Sequence, residues 1–197
     1  MFYLIAVAIA MVIICVANLI PLAPVTWPAI GEIALSVSIG AVAIFAVDGF
    51  FAFAIRRLTP KSWYTPHVKL FRVSKKERNF YRFLKIKSWK DYVPELGGFT
   101  SFHKDKLKSN SDAAYLERFI VEANYGVVIH LVNAALGFLI RFIPLCSAPG
   151  IWMPIFAVNL ILSLLPVAIL RFTLYTLNNL YDRCQKKQIA KERKRHE

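Results

Sequence analysis

The sequence is poor in the motifs of soluble catalysts and poor in negative charge. Only three cysteines occur in 197 residues, at positions 15, 146 and 184, with no spacing for a metal, a redox pair or a disulfide framework. Cys15 sits inside an apolar run, where a thiol serves as a small hydrophobe. There is no phosphate-binding glycine loop, no Gly-x-Ser-x-Gly elbow, no His-x-x-x-His or Cys-x-x-Cys pair and no His-x-x-x-x-Asp motif. The four histidines, at 67, 103, 130 and 196, are dispersed, so neither a metal nor a resident cofactor is expected. His103, beside Lys104, reads as a surface residue. Asp and Glu number 12 against 25 Lys and Arg, a formal net charge of +13, and residues 1–20 carry no charge at all.

What is abundant is apolar material. Hydrophobic residues make up 57% of the chain and mean hydropathy is +0.48, more than a soluble domain uses. Sixteen of the basic residues lie between Arg56 and Arg118 and eight between Arg171 and Arg195, with Arg141 alone outside. Apolar blocks separated by basic blocks are a membrane pattern. Topology then explains the basic charge, and no nucleic-acid partner is expected.

About 20 apolar residues cross a ~30 Å hydrocarbon core, and residues 1–20 meet that requirement. They open on Phe2 and Tyr3 in place of a basic n-region, so they read as a retained span. Pro21, Pro24 and Pro28 form a connector, with Trp27 suited to the interface. Further apolar stretches cover 30–55, ending on Arg56 and Arg57, then 123–142 and 151–170, the last two joined by a short turn. The expected fold is an all-α integral membrane protein with about four transmembrane helices in two hairpins, 1–55 and 123–170. Between them lies a basic cytoplasmic loop, 56–122, containing short helices, and after them a basic cytoplasmic tail, 171–197. Lys and Arg clusters stay in the cytoplasm, so both termini are expected inside.

The loop carries its own signals. Thr65 and Pro66 end an extended stretch, and Ser74 with Glu77 has capping-box spacing. The helix that follows carries Phe80, Tyr81, Phe83 and Leu84 among Lys75, Lys76, Arg78, Arg82 and Lys85. That mixture suits a helix in the headgroup layer, and equally one packed on its own loop. Gly97 and Gly98 mark a turn. Ser109 and Asp112 then open another helix with no break before Pro144, running through Tyr115, Phe119, Glu122 and His130.

Ionisable groups inside a span usually face a bundle interior or a wet cavity. Glu122, Gly126, His130, Asn133 and Gly137 recur every three or four residues and so share one helix face. For the two glycines close helix packing is the simpler reading; for His130 the functional one is favoured. Asp48 lies eight residues before Arg56 and His130 eight residues after Glu122, about 12 Å each along a helix. Were the two helices neighbours, Asp48 would accept a ring N–H from His130 and make the other nitrogen a better base; a stabilising pair without chemistry is the alternative. Asn159 and Ser163 share a face of the last span. Arg171, at its end, is either an interfacial anchor or a clamp for phosphate or carboxylate.

The most distinctive string is LKIKSWKDYVPELGG, Leu84 to Gly98. With FHKDKL (Phe102–Leu107), YLERFIVEANYGVVIH (Tyr115–His130) and LLPVAILRF (Leu164–Phe172), it resembles the glycosyl-4,4'-diaponeurosporenoate acyltransferases, small bacterial membrane proteins of staphyloxanthin-type carotenoid synthesis. The resemblance covers about residues 68–178. It implies transfer of a fatty acyl group, from acyl-CoA or a similar donor, to a hydroxyl of a lipid or glycolipid acceptor at the cell membrane. The candidate catalytic residues are Glu122 and His130, which lie within the resemblance, and Asp48, which lies outside it and rests on the spacing argument alone. The implied substrate contacts are Lys87, Trp89, Lys90, Asp91, Asn133, Asn159 and Arg171, with Lys87 and Lys90 alternatively a solvated charge run and Trp89 an interfacial anchor. Two departures stand out. The family pattern carries Arg-Ala-Glu where this chain has Tyr125, Gly126 and Val127, and Gln-Arg-Tyr-Asn-Arg where it has Leu170 to Leu174. A non-catalytic membrane subunit or lipid-binding protein is therefore the competing expectation. A transporter is a weaker third, because no repeats or broken helices support alternating access.

Overall fold

The computed structural model describes residues 2–22, 24–93 and 113–196. Among these every regular element is helical. The α-helices are α1 (Phe2–Leu19), α2 (Trp27–Leu58), α3 (Lys75–Phe83), α4 (Ile86–Trp89), α5 (Ala113–Leu136) and α6 (Pro149–His196), with short 3-10 turns between them. Three helical stretches, Trp27–Leu58, Ala113–Phe142 and Pro149–Lys194, are long and apolar enough to cross a membrane. Helix α1, 18 uncharged residues from Phe2 to Leu19, is shorter than these. At 1.5 Å per residue it is about 27 Å long, slightly short of a ~30 Å hydrocarbon core. The turn at Gly97 and Gly98, the helix start at Ser109–Asp112, Pro94, Glu95 and the Phe102–Leu107 string with His103 lie outside the described residues; α5 begins at Ala113.

The chain forms two compact units. One comprises Met1–Arg56 with Ile129–Leu165, the other Arg57–Val128 with Pro166–Glu197.

In the first unit, Ile14, Val37, Ile140, Cys146, Ile151 and Ile155 form the core. The amide of Asn18 ends α1 by donating to the carbonyls of Ile14 and Gly150, both at 2.8 Å. The helix expected to continue to Pro144 tightens at Gly137 into a 3-10 turn through Phe142. The Asn159 amide donates to the Asn133 carbonyl at 3.0 Å, and it does so against the bare Cα of Gly137. The close-packing expectation for that glycine therefore has a specific partner.

In the second unit the apolar stripe Leu116, Ile120, Ala123 and Val127 of α5 meets Leu170, Leu174, Leu177, Tyr181 and Cys184 of α6. Both stripes step by three or four residues, the spacing of one buried helix face. Gly126 meets Leu170. The segment after Arg171, expected from composition to be a basic tail, begins as core: α6 is continuous through it, and polar character takes over only beyond Cys184.

Glycine positions test this packing. Gly137→Ala would drive its methyl into the Asn159 amide, so thermal unfolding in detergent should show a loss of about 1–3 kcal/mol. Gly49→Ala in α2 meets nothing within 4 Å, and the same assay should find it neutral or slightly stabilising.

Candidate functional site

The functional side chains of the second unit are organised around α6. Arg171 holds Glu77 of α3 in a two-pronged pair: Nε donates to Oε1 and Nη2 to Oε2, each at 2.7 Å. Its remaining nitrogen, Nη1, donates to the Phe71 carbonyl at 3.2 Å. The pair is sheltered, with the side chains 15% and 26% exposed. Tyr81, one turn on, donates its hydroxyl to Glu77 at 3.0 Å. A second forked pair runs the other way, with Arg72 of the loop donating to Asp182 of α6 at 3.0 and 2.9 Å and to the Pro66 carbonyl at 3.0 Å. Between them the Arg78 guanidinium lies 4.4 Å from the Tyr175 ring. Residues 171, 175 and 182 follow one α6 face, so that helix carries an apolar stripe for α5 and a polar one for the loop.

Burial by itself would raise the Glu77 carboxyl. The hydrogen bonds and charge of Arg171, the Tyr81 hydroxyl and the Ser74 N–H outweigh it and hold the group below its ordinary 4.5. Burial, then the neighbouring Glu77 carboxylate, pushes Tyr81 up. The Asp182 carboxylate holds the Arg72 guanidinium more firmly protonated than usual.

The capping box forms as expected, since the Ser74 hydroxyl accepts the Glu77 N–H at 3.1 Å. At the other end of α3, Lys85 takes a left-handed conformation (φ 52°) and turns the chain into α4. The distinctive string then closes on itself. Ile86 is fully buried, the Ser88 hydroxyl donates to the Lys85 carbonyl at 2.7 Å, and the Trp89 indole donates to the Leu84 carbonyl at 2.9 Å. Trp89 therefore satisfies a carbonyl left open where α3 ends. Lys87 is exposed, and Lys90 pairs with the adjacent Asp91 at 3.0 Å on the surface.

In place of the extended stretch expected before α3 stand two 3-10 turns, Lys61–Tyr64 and Lys69–Phe71, and the first is held by α5. Asn124 donates to the Tyr64 carbonyl at 2.7 Å, Tyr125 stacks on Tyr64 with ring centroids 3.9 Å apart, and Thr59 donates to the Tyr64 hydroxyl at 3.0 Å. The departure at 125–127 thus has a packing basis. Tyr125 is stacked, Gly126 admits Leu170 and Val127 is core, none of them a place for a charge.

In the first unit Asp48 lines a half-open groove of about 220 Å³. Its other walls are apolar: Ala43, Ile44 and Val47 from α2, and Leu136, Gly137, Leu139, Ile140 and Ile143 beyond. His130, half-buried on α5, is not among the lining residues; Leu136 lies six residues further on, about 9 Å of helix. Asn133 and Asn159 are brought together, and the Asn133 side-chain oxygen is buried with no partner among the described residues. Glu122 is half-buried on α5, in the second unit. Sequence reading missed the roles of Glu77, Tyr81, Tyr64 and Asn124. A lone acid in the strongly basic stretch 72–90 was the available signal for Glu77, because it needs a cation beyond its own helix.

These features define an all-helical protein with apolar helices of membrane-crossing length and a basic, ion-paired helical segment attached to the last of them. The model of the glycosyl-4,4'-diaponeurosporenoate acyltransferase family matches residues 60–183, and the chain belongs to that family. No curated protein and no solved structure matches it.

Disrupting the Arg171–Glu77 pair should destabilise the protein by about 1–3 kcal/mol, and Arg171→Lys, which keeps charge but not the fork, should recover only part of the loss. Because the folded Glu77 value is depressed, its stabilisation is complete above about pH 4.5 and lost as pH falls through the lower folded value. A melting series in detergent should therefore show an acid-side decline that Glu77→Gln flattens.

Proposed function

We propose that this chain is a membrane-embedded acyltransferase that moves a fatty acyl group from an activated cytosolic donor to a hydroxyl of a lipid or glycolipid acceptor. The family match over residues 60–183 carries the reading. In the reaction, the acceptor hydroxyl oxygen attacks the acyl carbonyl of a thioester, the new ester bond forms, and the carbon–sulfur bond breaks with release of a thiol. His130 takes the hydroxyl proton and returns it to the leaving sulfur. Glu122 and Asp48 are acid–base partners, Asn133 and Asn159 contact the acceptor, and Lys87, Trp89, Lys90 and Asp91 meet the donor. The basic loop raises the local concentration of an anionic carrier such as coenzyme A. In this reading the chain spans the bacterial cytoplasmic membrane four times with both termini in the cytoplasm, and α1 crosses where the bilayer thins or the flanking residues extend its reach.

One observation favours a second reading, a non-catalytic membrane subunit or lipid-binding protein. Each of the three side-chain nitrogens of Arg171 already donates to Glu77 or Phe71, which suits an architectural arginine better than an open phosphate clamp.

Lipid profiling of cells decides between the two. His130→Ala should abolish one acylated species while the protein still accumulates and melts normally; an unchanged lipidome would favour the non-catalytic role. For the topology, Asp105→Cys should stay unlabelled by an impermeant thiol reagent in intact cells and become labelled after permeabilisation. Labelling from outside would reverse the orientation.

A further inference from the structure

Helix α3 has two unlike sides. Three of its polar side chains point toward the protein, Glu77 on Arg171, Tyr81 on Glu77 and Arg78 over Tyr175. Its outward side carries Phe80 and Phe83, 57% and 81% exposed, and Leu84 extends the same side past the cap. A nine-residue helix whose exposed side mixes two phenylalanines with Lys75, Lys76 and Arg82 is arranged for the boundary between an apolar medium and water.

The attachment point says which medium. Residues 151–170 of α6 contain no charge, and Arg171 is the first charged residue after them. Glu77 grips that residue, so α3 is fixed at the level where the apolar run of a membrane-crossing helix ends. The same helix and its turn carry Lys75, Lys76, Arg82 and Lys85, all exposed. Aromatic rings at the hydrocarbon boundary with cationic side chains beside them complement an anionic headgroup layer.

We propose that the outward face of α3, with the turn at Lys85, docks on anionic phospholipid: Phe80, Phe83 and Leu84 enter the acyl-chain boundary, and the four basic side chains pair with lipid phosphates. This goes beyond the acyl-transfer reading and does not depend on it. The lipids concerned are those surrounding the protein, whatever its substrate.

The test uses the full chain with Phe83→p-benzoylphenylalanine, reconstituted in phosphatidylcholine vesicles with or without phosphatidylglycerol, irradiated and analysed by mass spectrometry. Phospholipid adducts on the 80–85 peptide are expected, enriched in phosphatidylglycerol when it is present; the same photoprobe at Phe80 should behave alike. Adducts to a second copy of the chain, to α6, or no lipid adduct at either position would overturn the proposal. Adding Lys76→Gln and Arg82→Gln should lower the preference for phosphatidylglycerol over phosphatidylcholine by about fivefold or more. An unchanged preference would show that the cationic rim does not select the lipid, and the anionic part of the proposal would fail.

Discussion

The loop unit depends on one sheltered ion pair at the end of an apolar run. A guanidinium one residue past 20 uncharged positions cannot sink further into oil, and its planar fork matches a carboxylate. Glu77 supplies that carboxylate from a helix whose neighbours are almost all basic. Once the two meet, Tyr81 is drawn to the same carboxylate and Phe71 offers its carbonyl to the remaining nitrogen. Arg78 is carried onto Tyr175 by the same placement. The orientation of α3, with its rings outward, follows from which side of the helix carries Glu77.

The second forked pair makes this attachment two-pointed. Arg171 reaches from α6 to the loop, and Arg72 reaches from the loop to Asp182. Exposed pairs of this kind contribute little singly, and Arg72 with Asp182 is largely solvent-facing. The more sheltered partner therefore carries more of the energy, and the outer one fixes direction. Apolar packing of α5 on α6 supplies the rest through Leu116, Ile120, Leu174 and Leu177.

Helicity, the apolar stretches and the family were legible in the sequence because each depends on local composition or a contiguous string. The capping box at Ser74 was legible for the same reason: its donor and acceptor are three residues apart. Arg171 reads from the sequence as an interfacial anchor or as a clamp for phosphate or carboxylate, and the carboxylate it meets, Glu77, is invisible locally because it lies 94 positions away. Trp89 reads as an interfacial anchor or a substrate contact, and the bond of its indole to Leu84 has no sequence signature. Charge alone marks the segment after Arg171 as a tail. Leu174, Leu177 and Tyr181 had the right period to continue the buried stripe of α6 through the basic region. Asp48 lines a groove whose facing wall is Leu136, Gly137, Leu139, Ile140 and Ile143, and His130 is not part of that lining.

The two-stripe character of α6 also constrains how this chain can change length. Adding or deleting a single residue between 171 and 182 rotates everything beyond it by about 100°, turning Asp182 away from Arg72 while Tyr181 leaves the α5 contact. Only changes near whole multiples of the helical repeat keep both faces in phase. Beyond Cys184 no such phase has to be kept. Variation in length should therefore accumulate after that residue and be rare in the three turns before it.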